Sequence, residues 1–332
     1  MIIERDYPYM YARVSAKKAK LLEKNDYENL LKMEPNEIAR QLQEGEYNDD
    51  IDDLGAKHDG VELVELALMR NVSRTMSELI EMSPESLKSV LQAYLRRYDL
   101  MSFKRLLRWK KGGEMNGIES FLVPVGRYDL EDLRELSERS FDEIKDAIRF
   151  PESEVDYHEA AMNADTLKDI ERDLDRKYYE EMKKLQREIN SNWFSKFIND
   201  EIRYENLKIA LRLKKYEMEE SDIQSWLVTD DKDDIKEVLN AKDLGSALDA
   251  AKSSGLIDSD AGETLEEVEH SIEVSRLNRA LKTLHVEPLG VTSILGYIVA
   301  KLIEVKNLRM LIRAKETGIQ NLETIRGNLV LS

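Results

Sequence analysis

The residues best suited to chemistry are three pairs of cations, each spaced four residues apart in a segment that is otherwise apolar. The pairs are Lys104 and Arg108, Lys208 and Arg212, and Arg309 and Arg313. Residues four apart lie on the same side of an α-helix, so each pair presents two cations beside an apolar face. Such a pair can bind a carboxylate, but it has no group that could carry out a reaction.

Three glutamates recur in a second kind of segment and are candidate partners for these cations. Glu65, Glu171 and Glu269 each lie at the edge of an apolar stripe with the spacing i, i+3, i+7. In one interpretation each arginine forms an ion pair with one of these glutamates inside the protein. If such a pair is buried, removing its arginine would destabilise the protein by about 3 kcal/mol. In the other interpretation the three cationic faces line a surface that receives an acidic partner.

Catalysis, cofactor binding and metal binding find little support in the sequence. It contains no Cys, which excludes disulfides, thiolate catalysis and Cys-ligated metals. Its four histidines show neither a His-x-x-x-His pair nor a His-Glu-x-x-His motif. Gly112 and Gly113 are expected to end a helix, as glycines at helix C-termini do. No Gly-Lys-Ser/Thr follows them, so they do not indicate a phosphate-binding loop. We therefore expect no catalytic residue, no cofactor and no metal site.

Charge and hydropathy narrow the range of partners. The 50 Lys and Arg residues against 67 Asp and Glu residues give a net charge of −17, which disfavours binding of nucleic acid or anionic membranes. The sequence has no Gly-rich phosphate-binding loop, so we expect no nucleotide as a partner. The longest apolar stretch, Leu289 to Ala300, is shorter than the ~20 residues of a membrane-spanning helix. We expect a soluble intracellular chain.

The elements that must position these residues are predicted to be almost entirely α-helical. Glycine and proline are scarce, alternating strand patterns do not persist, and capping boxes recur. The boxes are Ser140 with Glu143, Ser221 with Gln224, and Thr264 with Glu267. The stripe of Glu171 continues through Tyr178 and Met182 to Ile189, which predicts a long helix packed along a neighbour.

The two kinds of segment alternate with a common period. The glutamates stand at 65, 171 and 269, and the basic segments begin at residues 102, 206 and 307, so both recur after about 100 residues. The first residues of the chain resemble the second half of a repeat. We therefore predict three similar helical subdomains, at residues 56–155, 156–255 and 256–332, with residues 1–55 as an N-terminal helical segment that completes a repeat.

Three stretches resemble a known family. They are Tyr297 to Lys315, Leu174 to Tyr179, and Tyr11 to Leu22. Together they are similar to the central-stalk C subunit of archaeal-type (A/V-type) rotary ATP synthases, which is called the d subunit in eukaryotic vacuolar ATPases.

This resemblance implies a funnel of three helical subdomains with pseudo-threefold symmetry, on the cytoplasmic face of the membrane. It implies a non-catalytic component that couples the proteolipid rotor ring (the K or c subunits) to the central shaft of the D and F subunits. An all-helical repeat adaptor for another protein complex is the alternative.

Overall fold

The fold is entirely helical over the part of the chain that the structure describes. This computed structural model describes residues 6–113, 118–189, 191–319 and 321–331, with the backbone alone for residues 119 and 120. These ranges hold seventeen α-helices and two short 3₁₀ helices, and they hold no strand. The predicted all-α class is confirmed, whereas the threefold repeat stays a prediction.

The helices vary from 5 to 28 residues in length. In chain order they are α1 (Pro8–Lys18), α2 (Lys24–Leu30), α3 (Pro35–Gln43), α4 (Asn48–Leu54), α5 (Gly60–Met82), α6 (Glu85–Gly112), α7 (Leu130–Glu138), α8 (Phe141–Asp146), α9 (Tyr157–Asn163), α10 (Leu167–Ile189), α11 (Asn192–Lys214), α12 (Glu220–Trp226), α13 (Lys236–Asn240), α14 (Leu244–Ser253), α15 (Leu265–Val286), α16 (Val291–Glu316) and α17 (Leu322–Asn328). The 3₁₀ helices are Ile118–Phe121 and Asp233–Ile235.

Two compact units make up the described chain. The first unit lies within residues 92–122 and 131–275, and the second within residues 6–91, 123–130 and 276–331. In the first unit α10 packs on α9 and α11, and the short helices α12 to α14 pack on α11 and on each other. In the second unit α16 packs on α1 and α5, while α3 and α4 cover α5. The predicted division into three subdomains and an N-terminal segment stays a prediction.

The long helices follow from their apolar stripes. α10 spans the predicted stripe of Glu171, and Tyr178, Met182 and Ile189 are buried along it. α16 begins within the longest apolar stretch of the sequence and is buried on nearly all sides, as expected of a helix without a polar face. The predicted long helix around Glu171 is therefore confirmed.

Helix starts follow the capping chemistry at two of the three predicted boxes. The Ser140 hydroxyl accepts from the Glu143 amide, and the Glu143 carboxylate accepts from the Ser140 amide. Thr264 and Glu267 make the same reciprocal bonds. The box at Ser221 is wrong, because α12 begins at Glu220 and its N-cap is Glu219.

The ends of the three basic helices share one backbone feature. Gly113, Glu217 and Gly318 have φ angles of 86°, 55° and 74°, and each lies five residues after the arginine of its basic helix. Gly112 and Gly113 thus end a helix as predicted. Glu217 adopts the same left-handed conformation with a side chain, which costs about 1 kcal/mol or more relative to glycine.

Candidate interaction site

In the first unit, two of the predicted arginines form ion pairs with predicted glutamates. Arg108 Nε and Nη2 donate to the two carboxylate oxygens of Glu171 at 2.5 and 2.6 Å. Arg212 makes the same two bonds to Glu269 at 2.5 and 3.0 Å. Each pair joins a basic helix, α6 or α11, to the glutamate-bearing helix that follows it, α10 or α15.

The second unit contains the third pair, which joins the two ends of the sequence. Arg313 Nε, on α16, donates to Glu65 Oε1, on α5, at 2.5 Å across a separation of 248 residues. The last basic helix therefore pairs with the first glutamate-bearing helix. This order is the one expected if the first and last segments of the chain together build one repeat.

Two of these ion pairs are exposed at the protein surface, and the third is half-buried. The side chains of Arg108 and Arg212 are 61% and 55% exposed, and that of Arg313 is 31% exposed. The hydrogen bond to Glu171 raises the pKa of Arg108, and the bond to Glu269 does the same for Arg212. Exposed pairs contribute about 0–1 kcal/mol, so the value of about 3 kcal/mol expected for buried pairs is too large for Arg108 and Arg212.

The second cation of each predicted pair does not repeat its contact. Lys104 Nζ donates to Asp175 on α10 at 2.5 Å, whereas Lys208 Nζ lies 2.7 Å from Glu205 on its own helix. Arg309 is half-buried on α16. The residue four after Glu65, which would match Asp175, is Met69. The cation at this position is therefore repeated in sequence but not in its contacts.

A lysine two residues after each arginine was not singled out from the sequence. Lys214 Nζ donates to the Ala241 carbonyl at 2.6 Å, and Lys315 Nζ donates to the Leu31 carbonyl at 2.7 Å. Ala241 and Leu31 both follow directly on a short helix, α13 and α2. These lysines satisfy carbonyls that a helix end leaves without an intrahelical partner. The signal was the Arg-x-Lys spacing that all three basic segments share.

An asparagine at the start of two basic segments holds a later piece of backbone. The Asn206 side-chain oxygen accepts from the Val228 amide at 2.9 Å. Asn307 accepts from the Val330 amide at 2.9 Å, and its amide nitrogen donates to the Val330 carbonyl at 2.7 Å. Each valine follows a leucine after a short helix, α12 or α17. The repeated Leu-Val dipeptide and the repeated asparagine were both visible in sequence, but their contact was not.

A deeply buried cation in the first unit was also missed. Arg96 is 2% exposed, and its Nη1 donates to Glu181 while its Nη2 donates to Glu152 Oε1 at 3.0 Å. The hydroxyls of Tyr157 and Ser153 both donate to Glu181 at 2.7 Å. Burial and the negative charge of Glu181 raise the pKa of Tyr157, so its hydroxyl stays a donor. We call this group the Arg96 cluster.

The second unit contains a similar group, the Lys301 cluster. Lys301 is fully buried, and its Nζ donates to the Tyr47 hydroxyl at 2.9 Å and to Glu304 Oε1 at 3.0 Å. The Tyr47 hydroxyl donates to the same Glu304 oxygen at 2.6 Å, and the Leu22 amide donates to Glu304 Oε2 at 2.6 Å. The cluster therefore ties the N-terminal helices to α16.

Metal chemistry finds no support in the described ranges. They contain no group of three or more His, Asp or Glu side chains placed to hold an ion. Of the four histidines, His158 lies 3.0 Å from Asp146, His58 lies 3.1 Å from Glu62, and His285 Nε2 lies 3.1 Å from Lys18 Nζ. None of the helices in the described residues is both long and apolar enough to cross a membrane.

The fold and these contacts define a class: an all-helical protein in which long helix pairs are linked by ion pairs at recurring positions. Comparison with known proteins places the chain more narrowly. The family model described as ATP synthase (C/AC39) subunit matches residues 10–326. The chain belongs to this family of ATP synthase subunits.

Alignments with curated relatives cover nearly the full length of this chain and of each relative. The C subunit of the A-type ATP synthase of Methanococcoides burtonii is 34% identical, covering 98% of this chain and 94% of the relative. The protein of the same name from Methanosarcina acetivorans is 34% identical over 95% and 91%. That of Archaeoglobus fulgidus is 29% identical over 98% and 96%. The resemblance found in the sequence is thereby confirmed.

Proposed function

We propose that this chain is the central-stalk C subunit of an A-type rotary ATP synthase, where it couples the proteolipid rotor ring to the central shaft of the D and F subunits. The observation that carries the proposal is the family match over residues 10–326. The relatives named as the C subunits of A-type ATP synthases, aligned over nearly their whole length, support it. In this role the chain has no active site and lies on the cytoplasmic face of the membrane, attached through its protein partners.

The physical task is to transmit torque between two unlike partners. A part with this task must resist deformation, and close-packed helices do so because packed interiors have few voids and low compressibility. The long helices α10, α11 and α16 and their buried faces suit this role. Ion pairs at the helix ends favour one register between neighbouring helices, and each exposed pair contributes about 0–1 kcal/mol to that preference.

The proposed architecture has three similar subdomains. Residues 56–155, 156–255 and 256–332 would form them, completed by the segment 1–55, in a funnel with pseudo-threefold symmetry. Three observations favour this arrangement: the repeated arginine–glutamate pairs, the repeated lysine contacts with helix ends, and the two asparagine contacts.

A coupling assay tests the function. The ATP synthase is purified from detergent-solubilised membranes of a strain that lacks this chain, and from one in which it is restored. We expect the restored complex to contain this chain, the ring and the D and F subunits, and to pump ions when it hydrolyses ATP in vesicles.

The complex without the chain should still hydrolyse ATP but should not pump, because torque no longer reaches the ring. Adding the purified chain back should restore pumping. If pumping is equal with and without the chain, or if the chain is absent from a gently purified complex, the proposal is wrong.

A further inference from the structure

The first helix, α1, and the turn that follows it carry a group of exposed cations. Residues 7–22 contain Arg13, Lys17, Lys18 and Lys20 and no carboxylate, in a chain whose net charge is −17. Lys17 Nζ donates to Glu78 at 3.0 Å, and Lys18 lies beside His285. Arg13 and Lys20 are exposed and have no ion-pair or hydrogen-bond partner within the described ranges.

The exposed residues of α1 and of the turn that follows it form one continuous face. Met10 and Val14 are buried toward the protein, where α1 packs on α16. The opposite side exposes Tyr9, Ala12, Arg13, Ala16 and Lys20, and Tyr9 is 60% exposed. Small side chains between two cations leave room for another backbone to come close, with a charged group available on each flank.

This face is held rigidly at both ends. The Tyr7 amide donates to the Leu289 carbonyl at 2.7 Å just before α1 begins. The Leu22 amide donates to Glu304 of the Lys301 cluster just after it ends. A preorganised surface loses little conformational entropy on binding, so few contacts suffice for a specific complex.

We infer that the exposed face of α1 binds an acidic α-helix of another subunit of the ATP synthase, an inference that rests on the proposed function. Arg13 lies on α1, and Lys20 lies in the turn that follows it, seven residues further along the chain. Carboxylates seven residues apart on a helix laid along α1 would meet both cations. An anionic membrane fits less well, because Tyr9 is the single large apolar side chain on this face and a membrane-bound helix buries several.

Site-directed cross-linking in the assembled complex tests the inference. The natural sequence has no Cys, so Ala16→Cys introduces one thiol that can carry a photoactivatable maleimide cross-linker. We expect one protein partner, linked through a helical segment with carboxylates seven residues apart. Asp249→Cys, at an exposed position on α14, is the matched control and should not link to that segment.

Charge reversal at Arg13 and Lys20 provides a second test of the inference. Arg13→Glu with Lys20→Glu should lower the cross-linking yield at Ala16→Cys by about tenfold, since two attractive pairs become repulsive. Lys57→Glu with Lys236→Glu changes the net charge by the same amount at two other exposed lysines and should leave the yield unchanged. Replacing the two partner carboxylates with lysine should restore linking to the reversed chain.

Several outcomes would overturn the inference. They are a purified, coupled complex in which Ala16→Cys links to no other protein, binding of the isolated chain to anionic phospholipid vesicles that the reversal abolishes, and a dimer of this chain, seen by light scattering, that the reversal abolishes. The first of these leaves the proposed function intact. Absence of the chain from the complex would overturn both.

Discussion

The two ends of the basic helices differ in burial and in how faithfully they repeat. Near the C-terminal end, the arginines Arg108, Arg212 and Arg313 form the same contact three times, yet two of these pairs are exposed and the third is only half-buried. Twelve residues earlier, Arg96 and Lys301 are buried in clusters with a tyrosine and a glutamate, while the middle copy has Asp200. The contact that repeats best is therefore the one that contributes least to stability.

Both buried clusters neutralise a cation with a glutamate, but the glutamate comes from a different place in each. Arg96 meets a glutamate on another helix, Glu181 on α10, whereas Lys301 meets Glu304 one turn along its own helix. In the middle copy the charges are exchanged, and Arg203 lies 3.2 Å from Asp200. A buried position needs a neutralised charge but does not prescribe which residue supplies it, so such clusters vary between copies.

The largest effect should come from breaking a buried cluster. Lys301→Met removes the cation from a fully buried site and leaves Glu304 with its charge uncompensated. We expect the free energy of unfolding to fall by about 3–5 kcal/mol, measured by urea unfolding of the full chain. The double variant Lys301→Met with Glu304→Leu should regain only part of this loss, because it removes the charge of Glu304 but leaves Glu46, whose Oε2 lies 3.7 Å from Lys301 Nζ, without that cation. A loss below about 1 kcal/mol for Lys301→Met would remove the distinction between buried and surface contacts.

A half-buried pair on α11 should give an intermediate, pH-dependent effect. Burial alone would raise the pKa of Glu205, but the charges of Lys208 and Arg97 lower it to about 2. A depressed pKa stabilises the fold above the unfolded value near 4.5, and this contribution is lost as the pH falls toward 2.

The measurement is the unfolding midpoint as a function of pH. We expect Glu205→Gln to flatten the decline between pH 5 and pH 2, with a change on the order of 2 kcal/mol. Glu237→Gln, at an exposed position without a resolved contact, is the control and should keep the decline. An unchanged profile for Glu205→Gln would show that Lys208 and Arg97 do not stabilise this carboxylate.

The surface pairs should have small effects on stability. Arg108→Ala and Arg212→Ala are each expected to lower the free energy of unfolding by about 0.5–1 kcal/mol, and less at high salt. Lys168→Ala, an exposed lysine on α10, serves as the control. A loss of 3 kcal/mol would place these pairs with the buried clusters, whereas unchanged melting with lost assembly of the complex would favour a partner-binding role.

The smallest effects are expected from substitutions at the ends of the basic helices. Glu217→Gly relieves a left-handed backbone conformation and should stabilise the protein by about 0.5–1 kcal/mol in thermal unfolding. Gly318→Ala introduces the same conformation with a side chain at the equivalent position and should destabilise by a similar amount. If both variants leave the melting temperature unchanged, the left-handed conformation at these helix ends does not affect stability.

Much of the fold and part of the candidate site were predictable from sequence. Helical class, the long helix around Glu171 and the end at Gly113 follow from local periodicity and from glycine's backbone freedom, which act over a few residues. The box at Ser221 failed because α12 begins at Glu220, two residues before that box requires, and Glu219 holds the N-cap position without a side-chain hydrogen bond. Local signals of similar strength cannot be ranked without the surrounding packing.

The residues of the candidate site were found because they repeat along the sequence. Their contacts were narrowed to two alternatives, the repeated glutamates or an acidic partner. Arg313 and Glu65 are 248 residues apart, and no local pattern indicates that they meet. Arg96 and Lys301 escaped notice because their counterpart, Asp200, has the opposite charge, so the position does not look repeated. Buried ionic contacts depend on what the folded chain brings alongside, which a repeat search does not detect.

The pairing of Arg313 with Glu65 has a consequence for synthesis on the ribosome. The first unit's pairs close loops of 63 and 57 residues, so they can form while the chain is still emerging. The second unit must wait for α16, and until then α1, α3 and α5 lack the helix that packs on them. Long-range closure is slow and exposes apolar surface meanwhile, so nascent chains stalled before residue 291 should depend on chaperones more than finished ones.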